Sequence, residues 1–202
     1  KVVSEGDTEE IVVRGHRMSD LIGKLSFSEM MFLMLQGRVP SKAETRTLDA
    51  LMVASMEHGI APPSLIARCY ASYGTSIQSA ISAGVNAFGD PMGGLGEQMA
   101  KLLSDRLGPH LAKGESSDET LRCEAEAIVE EARRSKTRVP GYGIPLHGAD
   151  PRAPAVLDVA RKEGTFRNYC RFGMAPSLRS SGPLLSEEVE DVMLAFRIAE
   201  EV

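Results

Sequence analysis

Ser26-Phe27-Ser28-Glu29-Met30-Met31-Phe32-Leu33-Met34-Leu35-Gln36-Gly37-Arg38-Val39-Pro40-Ser41-Lys42-Ala43-Glu44 reads as a helix, a stop and the start of a second helix. Ser26 stands three residues before Glu29, the spacing of a capping box, in which hydroxyl and carboxylate each satisfy an amide that has no partner inside the helix. Phe27 to Gln36 follows. Gly37 closes it, because glycine enters the left-handed conformation of a helix end without strain. Pro40 and Ser41 then open a longer helix, with Glu44 completing a second capping box. Leu48, Leu51, Met52, Ser55 and Met56 form its expected buried stripe, and Gly59 its end.

Outward from this pair the same pattern repeats. Upstream, Glu10-Ile11-Val12-Val13-Arg14 is the one convincing strand-like run, short, β-branched and ended by Gly15. Downstream, Pro62-Pro63-Ser64 starts a helix to about Tyr73, and Ser76 begins another over Ile77 to Phe88. The inner positions of that last helix are small: Ser79, Ala80, Ser82, Ala83, Gly84 and Ala87. Small residues let a second backbone approach, so tight helix packing in a core or dimer interface is expected there. Gly89 to Gly96 is a glycine-rich break, and Glu97 to Leu107 is helical again. Ser117-Asp118 caps a polar helix through Arg134 whose apolar stripe is Leu121, Ala125, Ile128 and Val129. Ala153 to Glu163 and Ser186 to Val202 complete the series. About eight helices and almost no strand make the expected class all-α. The expected division is a large helical body with a short strand over 1–100, a small helical domain over 101–175, and a C-terminal helix over 176–202 returning to the first. The ten methionines, several in Met30–Met34, read as adaptable core filler.

Composition narrows the function. A chain of 202 residues can bury a real core. The net charge of -5 argues against nucleic-acid binding, which needs a clustered basic surface. The basic run Arg133-Arg134-Ser135-Lys136-Thr137-Arg138 follows an acidic helix and reads as charge complementing that helix's C-terminus. No apolar run reaches the roughly 18 residues that span a bilayer, and Lys1 begins no secretory signal, so no membrane partner is expected. Cys69, Cys123 and Cys170 form no metal motif and no disulfide framework, which fits a reducing cytoplasm.

The segment Val139 to Ala153 carries three glycines and three prolines between helical stretches, too many for a continuous helix. Such shaped loops are where rigid scaffolds carry binding groups. Of the four histidines, none pairs at metal spacing. Gly84 to Gly96 has no strand before it, so a dinucleotide-binding reading fails on context. His58 and His147 are the candidates for chemistry. His58 precedes Gly59 at the expected helix end, where the negative end favours a protonated imidazole suited to an anionic or hydroxyl-bearing ligand. His147 lies in the Pro/Gly loop near Arg152, which can hold a carboxylate through two parallel hydrogen bonds.

Several segments, in order and at matching spacing, resemble the citrate synthase superfamily, and within it the short bacterial citryl-CoA lyase-like proteins. Val13-Arg14-Gly15-His16 with Asp20-Leu21-Ile22 is similar to the family's N-terminal Arg-Gly-Tyr segment, and Gly37-Arg38-Val39-Pro40-Ser41 to its Gly-x-x-Pro-Ser turn. Glu57-His58-Gly59 with Pro63-Ser64 resembles its substrate-binding histidine motif. Ser79 to Gly84 resembles the small-residue helix before the first active-site loop. Val139-Pro140-Gly141-Tyr142-Gly143 with Asp150-Pro151-Arg152-Ala153 resembles the second loop.

The resemblance implies a multi-helical fold and a reaction that makes or breaks a C–C bond between an acyl-CoA, such as acetyl-CoA, and a 2-oxo acid, such as oxaloacetate. It implies coenzyme A as part of the substrate, no permanently bound cofactor, and a homodimer. By the same carry-over His58 binds the substrate hydroxyl or carbonyl, Arg152 a substrate carboxylate, and the backbone of Val139, Pro140, Gly141, Tyr142 and Gly143 the CoA adenine. The sequence departs from the family at three places. Met92 precedes Gly93-Gly94, and Ile144 follows Gly143, where the family carries its two catalytic histidines; no Asn-x-Asp segment occurs between Ala175 and Val202. In this reading Met92 and Ile144 line the substrate site without donating hydrogen bonds, and His147 serves chemistry from a reshaped loop. The alternatives are a chain that binds CoA esters or organic acids without catalysis, and a structural dimer partner.

Overall fold

The computed structural model describes residues 4–6, 10–57, 59–89, 94–142, 151–175 and 178. Nine helices and one small sheet occur among them, in agreement with the all-α expectation. The strand-like run is present as β2 (Ile11–Val13), and it has two neighbours the sequence did not announce. β1 (Ser4–Gly6) pairs antiparallel with it on one side and β3 (His16–Arg17) on the other. Arg14, at φ 50, and Gly15, at φ 83, form the turn between β2 and β3. A four-residue helix, α1 (Met18–Leu21), leads out of the sheet.

Both capping boxes form. α2 (Phe27–Gln36) begins with the Ser26 hydroxyl accepting from the Glu29 amide at 3.3 Å, while Glu29 accepts from the Ser26 amide at 2.7 Å. α3 (Lys42–Ser55) begins with the same reciprocal pair between Ser41 and Glu44. Glu44 is buried and also takes both arms of Arg38, at 3.0 and 2.6 Å. Burial opposes its ionisation, but the Ser41 amide and the Arg38 guanidinium outweigh that and hold its carboxyl below the ordinary range.

Three expectations in this region need correcting. α3 ends at Ser55 rather than running on to Gly59, because the Met56 amide turns back to the Val53 carbonyl and tightens the last turn. Its stripe buries Leu48 and Leu51, joined by Thr47, but Ser55 and Met56 lie exposed. Of the α2 methionines, Met30 and Met31 are half-buried and only Met34 faces solvent, with Leu35, while Phe32 and Leu33 take the buried positions.

α4 (Pro62–Ser72) and α5 (Ile77–Asn86) pack closely side by side. Gly84 explains the approach: a Cβ there would stand 3.0 Å from the Pro63 carbonyl and 3.1 Å from the Ala67 methyl. The small-residue helix therefore closes on α4 through Ala80 and Gly84, its buried positions. Its other face is apolar and exposed, with Ile77, Ile81, Val85 and, beyond its end, Phe88 open to solvent; Leu65, Tyr70 and Tyr73, on α4 and at its end, are exposed as well.

The main core is built by α6 (Leu95–Ala112), α7 (Asp118–Ser135), α8 (Arg152–Glu163) and α9 (Asn168–Gly173). The four-residue stripe of α7 is buried as anticipated, and it clusters with Leu103 and Leu107 of α6, with Val156, Leu157, Cys170 and Phe172 from the last two helices and with Leu51 from α3. Each such side chain contributes on the order of 1.5–3 kcal/mol by leaving water. α6 is longer than expected at both ends and carries Pro109 inside it; α9 was not anticipated. The expected helix from Ser186 to Val202 lies outside the described residues. No described helix is long and apolar enough to cross a membrane.

Candidate functional site

His58, Met92, Gly143, Ile144 and His147 lie outside the described residues. Glu57 and Gly59, which flank position 58, and Val139, Pro140, Gly141, Tyr142 and Arg152 themselves are described. α3 stops at Ser55, so position 58 falls beyond its last turn and the helix-end argument for its charge does not apply there.

The turn around position 58 is held by short-range hydrogen bonds. Gly59, at φ 67, donates its amide to the Glu57 carboxylate at 2.5 Å. The Ser64 hydroxyl faces the Gly59 and Ala61 carbonyls at 3.2 and 2.8 Å and accepts from the Ala61 amide at 2.9 Å. Ser64 thereby ties the turn to the first turn of α4, where Pro62 and Pro63 need no amide partner. The Pro-Ser pair that follows the histidine thus has a mechanical purpose.

Arg152 is the first residue of α8, half-buried, in a turn with no acidic residue and no side-chain cap. α8 packs against α3. Arg46 near the start of α3 pairs with Glu163 at the end of α8 at 2.8 Å, and Thr47 meets Thr165 in a buried hydrogen bond of 2.8 Å.

The second loop enters from α7. Val139 is buried in the main core, and Gly141 is buried at φ 86. A Cβ at 141 would collide with the Met99 thioether and stand 3.2 and 3.3 Å from the Met99 Cβ and Cγ. The Tyr142 ring packs against the core, and its hydroxyl donates to the Gly173 carbonyl at 2.6 Å. Met99 and Gly173 are contributions that sequence reasoning missed. Met99 reads as one more apolar residue on an amphipathic helix, and nothing in the pattern points it at a loop far along the chain.

A polar cluster lies on the α6–α7 hairpin. His110 Nδ1 is 2.8 Å from Glu115 and Nε2 is 3.3 Å from Glu124; Arg106 joins Glu124 at 3.1 Å and Glu131 at 2.9 Å. Hydrogen bonds to Glu115 and then Glu124 raise the His110 pKa above its ordinary value. No group of three or more His, Cys, Asp or Glu side chains among the described residues could hold a metal ion.

Residues 41–195 match the family model described as citrate synthase, C-terminal domain. Among solved structures, a citryl-CoA lyase from Hydrogenobacter thermophilus is 31% identical, with a TM-score of 0.79 over 99% of this chain and 75% of that one. An ATP citrate lyase variant from Methanosaeta concilii, in complex with (3S)-citryl-CoA, is 15% identical with a TM-score of 0.72; 98% of this chain covers 31% of that one. An ATP citrate lyase from Methanothrix soehngenii, in complex with citrate and coenzyme A, is also 15% identical with a TM-score of 0.72, over 98% of this chain and 32% of that one. These last two show likeness of fold alone. No curated protein matches the chain.

Proposed function

The chain belongs to the citrate synthase family, and from that premise we propose that it handles the CoA thioester of citrate, cleaving citryl-CoA to acetyl-CoA and oxaloacetate or joining them. The observation that carries this reading is the likeness to a citryl-CoA lyase along 99% of the chain. Two structures of the same fold hold citryl-CoA, or citrate with coenzyme A, which supports the ligand class.

In cleavage, the hydroxyl of the citryl group loses its proton as the adjacent C–C bond breaks. The electron pair moves to the thioester enolate, which then takes a proton at its α-carbon. The α-proton of a thioester is weakly acidic, so a positioned base and pre-organised donors must share the barrier. In our reading His58 takes the hydroxyl proton, Arg152 grips a carboxylate, and His147 faces the thioester end. Val139 to Gly143 receive the adenine, and no resident cofactor takes part. Met92 and Ile144 border the substrate without donating to it. These two residues favour a second reading, in which the chain binds CoA esters or organic acids and does not turn them over.

The same reading includes a homodimer in the cytoplasm, organised as bodies over 1–100 and 101–175 with 176–202 returning to the first. The exposed apolar side chains along α4 and α5 support a partner of like kind, since such surface is unfavourable in water. Purified protein supplied with (3S)-citryl-CoA tests the choice. Release of oxaloacetate that His58→Ala and His147→Ala both abolish supports the enzyme. Binding without release supports the second reading.

A further inference from the structure

We infer that Met99 and the Tyr142 hydroxyl are positioning residues that hold the segment Val139–Tyr142 in its binding shape from beneath; the inference rests on the reading that this segment receives the nucleotide end of a CoA ester. The two anchors act on consecutive residues from different elements. Met99, almost fully buried on α6, fills the space under Gly141 that a Cβ would take at any other residue. Gly141 at φ 86 turns the backbone over that thioether, so the loop can sit this low only because residue 141 lacks a side chain.

Tyr142 secures the next residue sideways. Its hydroxyl donates at 2.6 Å to Gly173, the last residue of α9, whose carbonyl has no amide to accept from within that helix. The phenol supplies the missing donor and fixes the loop to the helix. Its bond is made within the protein, so its effect on a ligand passes through the backbone. Met99 also lies about one turn inside α6, whose first residue, Leu95, follows the glycine-rich segment 89–94. One buried thioether therefore joins the root of one candidate loop to the floor of the other. Holding a loop in its bound shape before the ligand arrives spares binding the entropy of ordering it, so loosening either anchor weakens affinity without touching the ligand.

Calorimetric titration of free coenzyme A into the full chain and four variants, with thermal melts alongside, tests this. Tyr142→Phe keeps the ring and loses only the hydrogen bond, and Met99→Ala empties the floor. Each is expected to weaken coenzyme A binding about tenfold. Met99→Leu conserves volume and is expected to stay within about twofold of the parent. Leu107→Ala opens a comparable cavity on the same helix, two turns from the loop, and is expected to lower the melting temperature with coenzyme A affinity unchanged. Unchanged affinity in Tyr142→Phe and Met99→Ala overturns the inference and leaves the functional reading standing. An equal loss of affinity in Leu107→Ala also overturns it, because the effect is then one of general destabilisation. If the parent chain does not bind coenzyme A, the functional reading fails and this inference fails with it.

Discussion

At the scale of single residues, Gly141 is the most constrained position in the described loop. Its positive φ alone makes alanine unfavourable by about 1 kcal/mol, and forcing a methyl into the Met99 side chain adds about 1–3 kcal/mol. Urea unfolding of Gly141→Ala should show a midpoint lowered accordingly. Combining it with Met99→Ala should cost less than the two changes added, because the second opens the space the first needs. Strict additivity would mean the two residues do not meet. Arg152 is the residue whose charge should matter most for an organic acid. Arg152→Lys keeps the charge but not the planar fork, so citrate affinity is expected to fall about tenfold while that for free coenzyme A stays level. The density of proline and glycine made the segment from Val139 visible in the sequence. What lay under it did not show, because Met99 and Gly173 reach it only through the tertiary fold.

At the scale of elements, the helices with side-chain caps were the most legible. α2 begins and ends where Ser26 and Gly37 put it, and α7 starts at its Ser117 cap. α9 escaped because it is six residues long and Arg167 at its start makes no side-chain cap bond. β1 and β3 escaped because two or three residues are too few to display alternation. α6 was expected to end at Leu107, yet the helix continues to Ala112 with Pro109 inside it. Ser41→Ala should destabilise the chain by about 1 kcal/mol through loss of the α3 cap, measurable by denaturant unfolding. The α6–α7 hairpin should respond to pH through His110. Its folded-state pKa is raised, so the stabilisation is complete below its unfolded value of 6.5 and is lost as pH climbs through the folded value. The gap in melting temperature between the parent and His110→Gln should therefore be widest in mild acid and shrink under alkaline conditions. A gap that grows with pH would contradict the pairing with Glu115 and Glu124. Glu44 works in the opposite sense: its lowered pKa stabilises above 4.5, and that contribution disappears as pH falls through the folded value.

For the whole molecule, helix following helix in the sequence was enough for the fold class, and the order of short motifs was enough for the family. The finer chemistry was less legible, because Met92 and Ile144 break the pattern at the two positions that usually define it. The exposed apolar face of α4 and α5 belongs to this scale. Ile81→Glu places a charge in that face without touching the buried Ala80 and Gly84, so sedimentation velocity should show a dimer for the parent and a monomer for the variant. A monomeric parent would remove the homodimer from the account. The most direct test of the central claim is calorimetric titration of (3S)-citryl-CoA into the intact chain. Saturable binding at one site per chain is expected, weakened by Arg152→Ala at the acid end and by Tyr142→Phe at the nucleotide end. Absence of binding, or binding indifferent to both substitutions, would contradict it.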